Sequence, residues 1–192
     1  QRRGTMNKVL IGLISLSMGI TAHAETFTVD TGHAEIGFSV KHMMVSNTKG
    51  SFTTFTGTVD YDIASQMLIS GEGSIEVASI DTNNKGRDDH LRNEDFFNVA
   101  KFPKMTFKST SVKKTGDNEF EVSGILNVLG IDRKVVLPVT IAGPVDDPWG
   151  NKRIGMACTT VLNRRDLGIT HSPAAMIGDE VKISIEAEAT YK

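Results

Sequence analysis

One cysteine in 192 residues leaves no partner for an internal disulfide, so this chain must be held together by its core, which its length allows. Cys158 therefore reads as a small buried hydrophobe rather than a redox group. No stretch of 18 or more apolar residues exists; the longest run, Val9 to Ile20, is about a dozen residues and too short to stay in a bilayer as a spanning helix. There is no excess of positive charge: 21 Lys and Arg face 23 Asp and Glu, which disfavours a nucleic-acid partner. Repeats, low-complexity tracts and domain linkers are missing. So are a G-x-S-x-G elbow, an H-E-x-x-H pair and a glycine-rich phosphate loop ahead of a helix.

What is present begins with a leader. Met6-Asn7-Lys8 gives a short positive start, VLIGLISLSMGI an apolar core, and Thr21-Ala22-His23-Ala24 small residues where a signal peptidase reads. The expected division is residues 1–24 as upstream residues plus a secretory signal peptide cleaved after Ala24, and residues 25–192 as one domain. Taking the leader's Arg2, Arg3 and Lys8 from the 21 cations leaves 18 against 23 acids, a net charge of −5 for the remainder. Export to the periplasm or beyond, without a permanent membrane anchor, is the expectation; no cysteine follows the cleavage site to carry a lipid.

From Glu25 on, the pattern is β. Ile36, Phe38, Val40 and His42 alternate with Glu35, Gly37, Ser39 and Lys41, and Val181, Ile183, Ile185, Ala187 and Ala189 alternate with Lys182, Ser184, Glu186 and Glu188. Phe27 to Asp30, Thr48 to Asp62, Gly71 to Ile80, Lys104 to Val112, Glu119 to Val128, Lys134 to Ala142 and Ile154 to Asn163 complete the strands. Turns are expected at Thr115-Gly116-Asp117-Asn118 and at Leu129-Gly130-Ile131-Asp132. One polar segment interrupts the series: NNKGRDDHLRNEDFFNVA, residues 83–100, with Asn83 or Asn84 placed to cap a short helix over about 84–98. The fold class expected is all-β: about eight strands with that helical insertion suggest a closed antiparallel barrel, and a sandwich would give a similar string.

No reactive constellation stands out. Asp88, Asp89 and His90 are adjacent, but neighbours on a helix point apart, and a metal needs three or four converging ligands, so no metal site and no cofactor are expected. The insertion has two readings. In one it packs Leu91, Phe96 and Phe97 on the barrel; in the other it also lids a barrel mouth, with Arg87 and His90 near a ligand's polar head. Arg87 and Arg92 stand roughly 140° apart on a helix, so Arg92 is expected to pair with Asp88 instead. A hydrolase or isomerase using His90, Arg87 and Asp88 is the rival reading, and a solid-cored structural barrel the third.

Longer blocks carry a family likeness. FTVDTGHAEIGFSVKH (27–42), SIDTNNKGRDDHLRNEDFFNVAKFP (79–103) followed by MTFKSTSV, DDPWGNKRIG (146–155) and NRRDLGI (163–169) resemble the YceI-like family over residues 25–192. The positions that match include His42, Arg87, Asp88, His90, Leu91, Arg92, Asp95 and Phe96, while Asn93-Glu94 and Asn47-Thr48 depart from the pattern. The resemblance implies an all-β fold, an extended antiparallel eight-stranded lipocalin-like barrel with a short helical insertion over about 84–98 and a long apolar tunnel. It also implies a secreted, non-enzymatic bacterial protein that binds polyisoprenoids, isoprenoid quinones or fatty amides, with links to stress responses. The ligand is then expected to contact Phe38, Val40, His42, Phe52, Val77, Arg87, His90, Leu91, Phe96, Phe97, Phe107, Leu126, Val139 and Ile183. A homodimer is compatible with the sequence.

Overall fold

The computed structural model describes residues 23–192, so nearly all of the expected leader lies outside the described residues. Ten strands are formed: β1 (Glu25–His42), β2 (Ser46–Phe52), β3 (Phe55–Asp62), β4 (Met67–Glu76), β5 (Ile80–Asp81), β6 (Lys104–Gly116), β7 (Glu119–Val128), β8 (Ile131–Asp146), β9 (Lys152–Asn163) and β10 (Ile177–Tyr191). Among the described residues the one α-helix, α1, is Lys85–Arg92. Neighbours pair in the order β10-β9-β8-β7-β6-β4-β3-β1, and β1 returns to β10, which closes an eight-stranded antiparallel barrel.

The two remaining strands follow from local breaks. β2 and β3 act as one strand interrupted at Thr53-Thr54: β2 pairs with the second half of β1 and β3 with its first four residues. The break is held by Ser79, whose hydroxyl accepts from the Thr54 amide at 3.0 Å and whose carbonyl accepts from the Thr53 hydroxyl at 3.2 Å. Similarly, the Thr31-Gly32 signal does not end a strand. It makes an irregularity between Asp30 and Ala34 inside one 18-residue β1. The expected hairpins form, with Asp117-Asn118 joining β6 to β7 and Leu129-Gly130, both at positive φ, joining β7 to β8.

The insertion is shorter as a helix than expected. Asn84 caps it by accepting from the Arg87 amide at 2.9 Å, and the helix ends at Arg92 rather than near residue 98. Asn93 terminates it, and residues 93–101 continue as turns stitched by backbone bonds such as Asn98 N–H to Asn93 O at 2.7 Å.

Two apolar clusters plug the two ends of the barrel. At the end that carries the β3–β4, β6–β7 and β8–β9 turns, Phe27, Tyr61, Phe120, Ile141 and Ile154 are all buried, with Phe27 edge-on to Tyr61 at 6.2 Å. At the other end, Phe52, Val77, Ile80, Phe96, Val128 and Ile169 pack under the helical insertion. Strict alternation along the strands turns apolar residues inward and leaves Lys182, Glu186 and their like outside.

Candidate functional site: an apolar tunnel

Between the two plugs the barrel is hollow. One cavity of about 230 Å³ lies toward the helix end and a second of about 210 Å³ toward the other end. Ile36, Ile75, Met105, Phe107, Leu126, Leu137 and Ile185 line both, so the two spaces share a wall region and form one bore along the barrel. On β10 the lining positions run from Ile177 to Ala187, roughly 33 Å of strand at about 3.3 Å per residue.

The bore stays open because of glycine. Gly50 lies opposite Phe38 on β1, and Gly124 lies beside Phe107. A Cβ on Gly50 would sit 2.5 Å from the Phe38 ring, and one on Gly124 would meet the Phe107 ring and stand 2.6 Å from the Lys108 carbonyl. Both rings therefore lie against the wall, over strand positions that have no side chain, instead of crossing the lumen.

Most of the residues expected at a ligand fall on this surface. Phe38, Val40, Phe52, Leu91, Phe96, Phe97 and Ile183 line the first cavity, Phe107 and Leu126 line both, and Val139 lines the second. Four do not reach the cavities. His42 is exposed because it is the last residue of β1, paired with Ser46 at the β1–β2 hairpin and beyond Val40, the last β1 position on the lining. Val77 is buried in the helix-end cluster behind the wall. Arg87 is turned onto Thr82, donating to its hydroxyl and its carbonyl, both at 2.8 Å. His90 is half exposed at the barrel end, bonded to Asp95 at 2.9 Å.

The RDDHLR block is thus a bracket rather than a head-group clamp. Asp88, buried, accepts from the Thr82 amide at 2.9 Å, and Arg92 donates to the carbonyls of Ala78 and Ile80 at 2.8 and 2.7 Å. Arg92 pairs with Asp89 at 3.2 Å, not with Asp88, which Thr82 engages. Together these bonds fix the Ala78–Thr82 turn against the helix.

A charged residue that does border the tunnel is Arg164, at the start of the loop between β9 and β10. Only 3% of it is exposed. Its five N–H groups meet five backbone carbonyls, those of Ile169, His171, Ser172, Ile177 and Gly178, at 2.7 to 3.0 Å. Asp179 lies 3.0 Å away, and burial together with neighbouring Arg165 pulls the guanidinium pKa down from its ordinary value. The arginine is a hub around which residues 164–178 fold, placing Leu167 and Ile169 on the lining. The NRRDLGI block was the sequence signal for it, but nothing in the spacing said that the donors turn inward. Cys158 also borders the second cavity; burial pushes its thiol up to about 11.

A closed antiparallel barrel around an apolar bore defines a lipocalin-like class of fold. The chain belongs to the YceI-like family: the family's YceI-like domain matches residues 27–189. It is 37% identical to Protein YceI of Salmonella newport over 192 residues, covering 97% of this chain and all of that protein. Among solved structures, BcnA of Burkholderia cenocepacia superposes with a TM-score of 0.76 at 25% identity, covering 84% of this chain and 99% of that one. The YCEI protein of Campylobacter jejuni gives 0.74 at 31% identity, covering 79% and 90%. A polyisoprenoid binding domain from Saccharophagus degradans gives 0.68 at 13% identity, covering 88% and 100%, and so shares the fold.

Proposed function

We propose that the barrel carries or stores a long isoprenoid-type lipid in the bacterial periplasm, without catalysing a reaction on it. The ligand class is a polyprenyl lipid or an isoprenoid quinone, with a fatty amide as the third chemistry that fits. The observation that carries this reading is the pair of joined apolar cavities, whose wall offers aliphatic and aromatic side chains and almost no polar group. Each CH₂ moved from water into such a bore contributes about 0.8 kcal/mol. Several isoprene units therefore outweigh the cost of immobilising the chain without any charge pairing. The Saccharophagus domain of the same fold is a polyisoprenoid binder, which agrees with this use of the cavity. The apolar leader of residues 6–24 supports export. Among the described residues no helix is long and apolar enough to cross a membrane.

A hydrolase or isomerase built on His90, Arg87 and Asp88 is disfavoured by their placement. Arg87 and Asp88 are both engaged with Thr82, while His90 bonds Asp95. The three do not converge on a common reacting atom.

Gentle purification followed by native mass spectrometry and solvent extraction tests the carrier reading. A bound lipid of several hundred daltons is expected, in roughly one copy per chain. Protein that is always empty and takes up neither quinone nor prenyl alcohol when offered would sink it.

A further inference from the structure

Where α1 meets the β9–β10 loop, three side chains from three segments of the chain converge. His90 comes from the last turn of α1, Asp95 from the turn after it, and His171 from the loop organised by Arg164. The Asp95 carboxylate faces both imidazoles: one oxygen lies 2.9 Å from His90 Nε2, the other 3.7 Å from His171 Nδ1. All three candidate ligand atoms lie within 4.8 Å of one another. A tetrahedral zinc ion with bonds of about 2.0–2.2 Å holds its ligand atoms roughly 3.3 Å apart, and the two distances, each to a different oxygen of the carboxylate, lie on either side of that value.

We propose that His90, Asp95 and His171 bind a divalent transition-metal ion, with zinc as the type case, and that the ion clasps the helical insertion to the β9–β10 loop across the end of the tunnel. Two imidazoles and one carboxylate with solvent access suit such an ion, since nitrogen ligands exclude calcium and magnesium as the natural occupants. All three groups are partly exposed, with side-chain exposures of 38 to 47%, so an ion can enter and a water can fill a fourth position.

Two further observations set this cluster apart. Phe96 packs against both imidazoles, edge-on to His90 at 5.0 Å and tilted to His171 at 4.9 Å, which restrains both rings. The His171 backbone is held as well, its carbonyl accepting from Arg164 at 2.7 Å. Among the described residues no Lys or Arg pairs with Asp95. The comparison is the second convergent trio, Asp30, His33 and Glu188, where Arg153 already stands 2.8 Å from Asp30 and 2.6 Å from Glu188 and takes the place of a cation.

The clasp follows from what each segment contributes. Leu91, Phe96 and Phe97 from one, and Leu167 and Ile169 from the other, line the same cavity. An ion joining His90 and Asp95 to His171 ties these two parts of the wall together. The metal site stands on side-chain positions alone and does not depend on the lipid reading.

Calorimetric titration of the tag-free, delipidated chain with Zn²⁺ is the test, with amide hydrogen exchange as a second readout. One zinc per chain is expected, with affinity falling by at least about tenfold in His171→Ala and in Asp95→Asn and unchanged in His33→Ala. Because the substituted groups are exposed, the melting temperatures of the zinc-free variants should match that of the parent. Zinc should also slow exchange of the amides in residues 167–176. Absence of binding up to millimolar zinc, or binding that survives His171→Ala, overturns the site. Binding without any change in exchange overturns the clasp. Since lipid is absent throughout, failure of the carrier reading would leave these results untouched.

Discussion

At the scale of single residues, the tunnel depends on side chains that are absent and on one that is fully engaged. Gly124 gives the Phe107 ring its place on the wall. Gly124→Ala should drive that ring toward the lumen where the two cavities meet, because the added methyl has no room against the Lys108 carbonyl either. Overpacking of this kind costs about 1–3 kcal/mol. Urea denaturation should register that loss, and lipid retained per folded chain should drop; full retention would mean the ring has another place to go. Arg164 is the opposite case, a charge whose donors are all used. Arg164→Leu leaves several loop carbonyls without partners, and removing one member of a buried ionic network typically costs about 3–5 kcal/mol. A Leu variant as stable as the parent would contradict the role of the arginine as the hub of residues 164–178. Neither residue could be assigned this way from the sequence. Gly124 reads as any strand glycine, and Arg164 as one of two adjacent cations before a turn.

At the scale of elements, two brackets hold the barrel ends. At the helix end, Arg87 and Arg92 pin the Ala78–Thr82 turn. Alanine at either position should destabilise the fold by about 1–3 kcal/mol and leave lipid binding of the folded fraction alike in the two variants. A selective loss of binding in Arg87→Ala would restore a ligand role for that guanidinium. One reading of the sequence put Arg87 near a ligand's polar head, but Thr82 sits within reach and offers two acceptors. At the far end, Arg153 bridges Asp30, Glu188 and Asp147. The Arg153 hydrogen bond, then that of His33, holds the Asp30 carboxyl below its ordinary value. Asn151 chiefly, with backbone amides and Arg153, lowers Asp147 to about 2. An unfolded aspartate titrates near 3.9. Folded values below that mean stabilisation that is complete above about pH 4 and is lost as pH falls through the folded values toward 2. Thermal melts should therefore decline over that acid window. Arg153→Met should lower the melting temperature at pH 7 and flatten the acid decline, with a residue of slope left by Asn151. An unchanged acid profile in Arg153→Met would show that the bridge contributes nothing.

At the scale of the whole molecule, the question is whether one ligand fills both cavities. Cys158 reports on the second, since its thiol borders that space and lies far from the helix end. With its pKa pushed up to about 11, it stays protonated at neutral pH and should react with a small maleimide much more slowly than in unfolded chain. A lipid threaded along the whole bore should slow labelling further, while one confined to the helix-end cavity should leave the rate unchanged. Mass spectrometry of the labelled chain, with and without added polyprenol, separates the two. Saturating ligand should also raise the melting temperature, as binding to the folded state alone contributes about 2.7 kcal/mol at a hundredfold excess over Kd.

The sequence by itself determined the strands, the hairpins and the helical break, while closure of the sheet came from the pairing of β1 with β10. Alternation with period two on β1 and β10, the turn residues at Asn118 and Gly130, and the polar break at residues 83–100 are local signals, and local backbone preference suffices to place strands, hairpins and a capped helix. The same alternation named most of the tunnel wall, because on a closed sheet the inward face of every strand meets the same space. What only the tertiary structure decided lies wherever residues distant in sequence meet. The end of β1 at its hairpin left His42 outside the lumen. A neighbouring acceptor captured Arg87, and a loop more than 70 residues downstream of α1 brought His171 to His90 and Asp95. A hollow rather than a solid interior was also decided there, since ring placement over Gly50 and Gly124 depends on cross-strand distance, which no single strand encodes.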